Sequence, residues 1–162
     1  MVLQFCVFGV AQPKGSMKAF YRPGMKFPIV TDSNRSVKSW SQLVAEGANQ
    51  ALAQLPAGDR GVLDGPVRLT MAFHLPRPKK YQRRGVEPAH VTKPDASKLI
   101  RAVEDALTHV VYRDDSQVVE LVVAKRYAAV DAAPHVEIRV ESTAGVRPVV
   151  VPPAPLPLFA EA

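Results

Sequence analysis

Between Pro66 and Pro76 the chain alternates without a break, with Val67, Leu69, Met71, Phe73 and Leu75 on one side and Arg68, Thr70, Ala72 and His74 on the other. Only a β-strand sends successive side chains to opposite faces, so this stretch demands a sheet with one covered face. From Ser36 the period lengthens. Trp40, Leu43, Val44, Gly47, Ala48, Ala51, Leu52 and Leu55 recur at three and four, which predicts an amphipathic helix closed by Pro56 and Gly58. A second helix is predicted from about Asp95 to His109, with Leu99, Val103, Ala106, Leu107 and Val110 facing the core. Residues 2–10 are β-branched and aromatic, as in a buried strand, and Pro13-Lys14-Gly15-Ser16 breaks them. Strands at about 117–127 and 135–141 complete the set, the last alternating Val136, Ile138 and Val140 against Glu137 and Arg139. The order β-α-β-α-β-β predicts an α+β fold, a small mixed sheet with two main helices packed on it. One domain is expected over residues 1–143. Residues 144–162 turn proline-rich and are expected to be an extended or disordered tail.

A net charge of +6 favours an anionic partner, nucleic acid before anionic membrane. No apolar run approaches the roughly 20 residues that span a bilayer. Met1-Val2-Leu3-Gln4-Phe5 lacks the basic and long apolar regions of a secretory signal, so a cytoplasmic location is expected. Cys6 stands alone, which leaves no internal disulfide and no cysteine metal cluster; it reads as an inert core residue. His74, His90, His109 and His135 have no metal-ligand spacing, so zinc would require them to converge from separate elements. Gly9 to Ser16 is not a phosphate-binding loop, because Lys14 precedes Gly15.

The positive charge is concentrated. From Pro76 to Arg101 there are eight basic residues, Arg77, Lys79, Lys80, Arg83, Arg84, Lys93, Lys98 and Arg101, against Glu87 and Asp95. Such a segment suits backbone contacts that read shape and charge rather than base sequence. Tyr81 is placed to stack on an unpaired base, and His90, close to Lys93, to touch DNA. Lys14 and Lys18 add possible phosphate contacts. The alternative is a solvated loop.

Beside this segment lie acids. Asp95 follows a proline where a helix begins, and Asp114 and Asp115 are adjacent at the entrance to a strand. Adjacent carboxylates repel, and outside exposed turns they suggest a bound cation. Hard divalent ions take oxygen ligands, often one or two carboxylates with water and substrate phosphate. Carboxylates from two elements converging on one ion is a common phosphodiesterase design. An N-cap aspartate with an exposed Asp-Asp turn is the competing reading.

Lys93-Pro94-Asp95, Leu99, Asp105-Ala106-Leu107 and Asp114-Asp115-Ser116-Gln117-Val118 together resemble the signature of RusA-type Holliday-junction resolvases. That family reads Lys-Pro-Asp-x-Asp-Asn-Leu-x-Lys, then Asp-Ala-Leu, then Asp-Asp-Ser/Ala-Gln-Val. The likeness extends to Phe8-Gly9 through Pro13-Lys14-Gly15, to Trp40 and to Pro76-Arg77-Pro78-Lys79, covering roughly residues 3–140 in the family's order. It implies a homodimeric, magnesium-dependent endonuclease, with manganese as a substitute ion. Such an enzyme cuts Holliday junctions and related branched DNA in recombination and repair, in a bacterial cytoplasm or from a phage or prophage. Asp95 and Asp115 would be its metal-binding catalytic acids, with Asp114 beside them.

Two positions depart from the family pattern. Ser97 stands where the second acid of Asp-x-Asp is expected, and Arg101 where the helix lysine is. Neither Asp105 nor Glu104 is a replacement, because ten residues of helix at a rise of about 1.5 Å place Asp105 about 15 Å from Asp95, and Glu104 is nearly as far. Asp114 is the plausible substitute, next to Asp115. Ser97 offers a neutral oxygen but no charge, so weaker metal binding is predicted. Arg101 keeps a cationic role but, with a pKa above about 12, cannot shuttle a proton. The alternative function is a branched-DNA-binding protein with weak or lost cleavage. In the tail, Pro155-Leu156-Pro157-Leu158-Phe159 resembles the Gln-Leu-x-Leu-Phe peptide that docks on the bacterial sliding clamp, with Leu156, Leu158 and Phe159 as pocket-filling residues.

Overall fold

A computed structural model describes residues 1–15, 17–20, 24, 27, 29–32, 34–82 and 87–144, with only the backbone described for 17–20 and 29–32. The tail peptide with Leu156, Leu158 and Phe159, together with Arg83 and Arg84, lies outside the described residues.

The described residues form six strands and two α-helices: β1 (Val2–Phe8), β2 (Met17–Phe20), β3 (Ile29–Asp32), α1 (Val37–Gln54), β4 (Val67–Leu75), α2 (Ala96–Leu107), β5 (Val118–Tyr127) and β6 (His135–Ser142). Four of the strands form one mixed sheet in the order β1-β6-β4-β5. β4 and β5 run parallel, while β6 is antiparallel to both β4 and β1. The α+β class and the two helices match the sequence reading. A separate antiparallel hairpin of β2 and β3 was not anticipated, because its four-residue strands are too short to set a periodicity.

The alternating residues of β4 behave as their pattern requires. Val67, Leu69, Met71, Phe73 and Leu75 are all buried, and Val136, Ile138 and Val140 of β6 join them. Trp40, Val44 and Ala48 of α1 and Leu99, Ala102, Val103, Ala106 and Leu107 of α2 close over this face. Full burial contributes roughly 1.5–3 kcal/mol for each large apolar side chain, so these two stripes fix both helices on the sheet. Gly47 sets how closely α1 approaches β1, since a Cβ there would lie 3.1 Å from Val7 Cγ2 and 3.3 Å from Phe5.

β1 is not the fully buried strand that its composition suggests. It pairs only with β6, at the edge of the sheet. Leu3 and Val7 point to the helices, while Val2 and Phe8 face outward and are exposed. Cys6 shares that outer parity and is exposed, which corrects its reading as a core residue.

Parallel strands cannot be joined by a tight turn, and α2 is the crossover between β4 and β5. The helix therefore runs back along the strands. Lys125, near the end of β5, donates from Nζ to the carbonyls of Thr92 (2.8 Å) and Pro94 (2.9 Å) at the start of α2. Tyr112, just before β5 begins, donates its hydroxyl to Glu104 O (3.1 Å) in the second half of α2. Among the described residues, no helix is long and apolar enough to cross a membrane.

Candidate functional site

At the start of α2, Asp95 takes the N-cap position with extended backbone (φ −68, ψ 137), yet its side chain makes no capping hydrogen bond. An N-cap aspartate ordinarily spends its carboxylate on the N2 or N3 amide. Here the carboxylate is about half exposed, and its ion-pair partner is Lys98, whose Nζ lies 3.6 Å from Oδ2. The peptide bond between Lys93 and Pro94 is cis. A cleft of about 400 Å³ opens beside this turn, and Gln12, Pro13, Lys93, Asp95 and Lys98 are among its lining residues. It sits outside the carboxyl ends of the parallel strands, where open α/β sheets place their ligands. Ser97 and Arg101 are exposed farther along α2.

Lys14 seals one flank of this helix. Its backbone N–H donates to Lys98 O (2.9 Å), and its ammonium pairs with Asp105. The charge expected to meet phosphate is thus matched within the protein, and Asp105 is accounted for as its partner.

The second acidic feature is a single 3-10 turn, Asp115–Gln117, at the entrance to β5. Gln117 holds it at four points. Its Oε1 accepts from the backbone amides of Arg113 (2.8 Å) and Asp114 (3.0 Å), and its Nε2 donates to Leu63 O and Gly65 O (both 2.9 Å). Asp114 caps the turn, accepting from the Ser116 amide at 2.9 Å, and the hydrogen bonds to Ser116 hold its carboxyl below the usual carboxylate range. One oxygen of the acid proposed to substitute for the missing aspartate is therefore occupied by the turn. Asp115 is exposed and takes no part in the cap.

Glu104 belongs to this end of the molecule, and the sequence reading dismissed it because of its distance from Asp95. Burial pushes its carboxyl up, and the negative charges of Asp115 and Asp105 push the same way, against Arg101. The phenol of buried Tyr112 is raised by burial first and then by Glu104 and Asp115. Tyr112, three residues before Asp115, donates its hydroxyl to Glu104 O, so the turn that carries Asp115 follows close to the second half of α2. Since Glu104 is nine residues beyond Asp95, a rise of about 1.5 Å per residue separates the two ends by about 14 Å.

The structure consequently brings Asp95 together with Lys93 and Lys98, and Asp115 together with Asp114 and Glu104, but does not bring Asp95 and Asp115 together within one chain. Neither group matches a closed set of carboxylates around one ion. Among the described residues, the three donor residues whose ligand atoms all lie within 4.8 Å are instead His74, His135 and Glu137.

The basic loop is partly structural. Arg77 is almost wholly buried, and its guanidinium donates to Ala128 O (2.7 Å), to Tyr81 O (3.1 Å) and to both oxygens of Glu87 (3.0 and 2.9 Å). It ties the loop to the end of β5 and is no surface contact for DNA. Tyr81 leans against Tyr127 at 5.6 Å between ring centroids, and Lys80 Nζ lies 4.6 Å from the Tyr81 ring centre. That ring is therefore engaged rather than waiting for a base. His90, expected at the surface, is buried with its ring 4.4 Å from Tyr127; burial lowers its basicity, and Lys125 adds to the effect. Lys79, Lys80 and Lys93 remain exposed. Sequence reasoning also missed Lys125, because a lysine in an apolar strand carries no local signal of the carbonyls it will reach.

A family model described as Endodeoxyribonuclease RusA matches residues 12–141. Among curated proteins, the chain is similar to one named Uncharacterized protein YqaN, from Bacillus subtilis strain 168. The two are 31% identical over 146 residues, covering 85% of this chain and 94% of that protein.

Proposed function

Because the chain belongs to the RusA endodeoxyribonuclease family, whose members resolve Holliday junctions and generally depend on a divalent metal, we propose that it is itself a structure-selective endonuclease. Its substrates would be four-way junctions and related branches arising in recombination and repair, its ion magnesium or manganese, and its place of action the cytoplasm. The observation that carries this reading is Asp95, an N-cap carboxylate that does not cap, set between Lys93 and Lys98 in the cleft at the start of α2. A scissile phosphate in that cleft would meet two ammonium groups and one carboxylate that capping leaves unused. Lys79 and Lys80 extend the positive surface along the incoming duplex.

Asp95 and Asp115 lie toward opposite ends of α2, so one chain cannot bring both to one phosphate. We infer a homodimer in which Asp95 of one copy works with Asp115 of the other. β5 supports this inference. It is an edge strand with Val119, Leu121 and Val122 exposed, an apolar stretch suited to burial against a second copy.

Ser97 favours the second reading, a junction-binding protein with weakened cleavage, since it is exposed on α2 and contributes no charge where the family has an acid. Cleavage of a synthetic four-way junction, with and without magnesium and against matched linear duplex, separates the two. The expected outcome is magnesium-dependent nicking of the junction that is lost in Asp95→Asn and in Asp115→Asn, and raised at least tenfold in Ser97→Asp. Tight, salt-sensitive junction binding with no nicks in any variant assigns the chain to the second reading. Docking of Leu156, Leu158 and Phe159 on the sliding clamp is a further proposal, tested by pull-down with and without residues 155–162.

A further inference from the structure

The sheet's outer face, away from the helices, gathers three side chains that the nuclease reading leaves unused. His74 of β4 stands opposite His135 of β6 in the ladder, and Glu137 follows two residues along β6, so all three project from the same face. The two imidazole rings stack with centroids 4.2 Å apart and planes within 10°. Both Nε2 atoms lie 3.7 Å from Glu137 Oε1. The pairing register, invisible in the sequence, produces for His74 and His135 the convergence from separate elements that a zinc site requires.

Hydrogen bonding orients the rings. His135 Nδ1 is 2.9 Å from Ala133 O. A carbonyl can only accept, so Nδ1 is the nitrogen that carries the proton in the neutral ring, which leaves Nε2, on the side of His74 and Glu137, as the atom that can ligate. Metal-binding histidines are held in this way, with the far ring nitrogen donating to a carbonyl or carboxylate. His74 Nε2 is buried and has no hydrogen-bond partner among the described residues. At 3.7 Å, Glu137 is too distant to satisfy it. A buried polar atom left unpaired costs about 1–3 kcal/mol, and coordination to a cation removes that cost. Both imidazoles are largely covered and sit on paired strands, whereas Glu137 is 58% exposed and free to close on an ion.

We propose that His74, His135 and Glu137 bind a zinc ion, or another first-row transition-metal ion of similar preference, at a site distinct from the cleft beside Asp95. Two imidazoles and a carboxylate are a known three-ligand zinc set, which leaves a fourth position open. Magnesium, which prefers oxygen ligands and sheds water reluctantly, is excluded by the same donors. The ion joins β4 to β6, the two central strands of the sheet, so its binding stabilises the fold.

The test uses the full chain after chelator treatment, titrated with zinc by calorimetry and with cobalt by visible absorbance, in millimolar magnesium. One ion per chain is expected, with tetrahedral cobalt bands and a melting temperature raised by several degrees at saturating zinc. His74→Gln and His135→Gln should abolish binding, and Glu137→Gln, a change at an exposed position that leaves the core untouched, should weaken it at least tenfold. Asp95→Asn with Asp115→Asn should bind zinc unchanged, which separates this site from the nuclease proposal. The idea is overturned if the wild-type chain takes up no zinc, or if Glu137→Gln binds as tightly as wild type.

Discussion

Asp95 and Asp114 show how two residues of one type in one motif diverge. Both precede a helical turn, so the sequence offers each the same capping role. Asp114 takes it, accepting from the Ser116 amide at 2.9 Å, whereas Asp95 leaves its carboxylate for the cleft. That difference is written in the backbone around each residue and is not legible from the local sequence. Glu104 makes the point quantitatively. Burial, reinforced by Asp115 and Asp105, raises its pKa above the ordinary 4.5. A raised carboxyl pKa means that the folded state holds its proton more tightly than the unfolded one. The resulting stability is full below about pH 4.5 and is lost as pH rises through the folded value. At neutral pH the ionised group therefore opposes folding. In chelator, Glu104→Gln should raise stability at pH 7, by less than about 1 kcal/mol once screening of a half-exposed group is allowed for. The gain should vanish at pH 4. Melting temperatures of the two proteins at both pH values provide the check, and an equal gain at pH 4 contradicts a charge effect.

Elements were the most readable level, because periodicity is set by burial. The alternation of β4 and the three-and-four spacing of α1 and α2 correspond directly to buried stripes. Pairing was less readable. Nothing local in β1 announces that only β6 will flank it, so composition alone assigns Cys6 to the core although it faces solvent. The loop between β4 and α2 repeats the lesson for charge. Counting lysines and arginines treats Arg77, Lys79 and Lys80 alike, but Arg77 alone is buried in hydrogen bonds to Ala128, Tyr81 and Glu87. Arg77→Ala would leave those acceptors unpaired and should cost on the order of 2–4 kcal/mol, read from the urea midpoint. Lys79→Ala and Lys80→Ala should leave that midpoint unchanged, while each lowers the slope of log affinity against log salt for junction DNA by about 1.

For the whole molecule, the crossover that makes β4 and β5 parallel also decides what one chain can do. A helix returning antiparallel to its strands must carry its first residue to their far end, so Asp95 and the Glu104 turn near which Asp115 lies are held about 14 Å apart along α2 for topological reasons that no side-chain rearrangement removes. If both acids serve one phosphate, they belong to different copies. A mixture of two inactive proteins tests this directly. Suppose that Asp95→Asn and Asp115→Asn each abolish cleavage as homodimers. A heterodimer of the two carries one composite site with both acids mutated and another with both intact. Mixing and equilibrating the variants should therefore restore magnesium-dependent nicking. At equal concentrations half of the dimers are mixed and each has one working site of two, so about a quarter of the wild-type site density is expected. Were each site built within a single chain, every chain in the mixture would carry a broken one and activity would stay at the level of the separate variants.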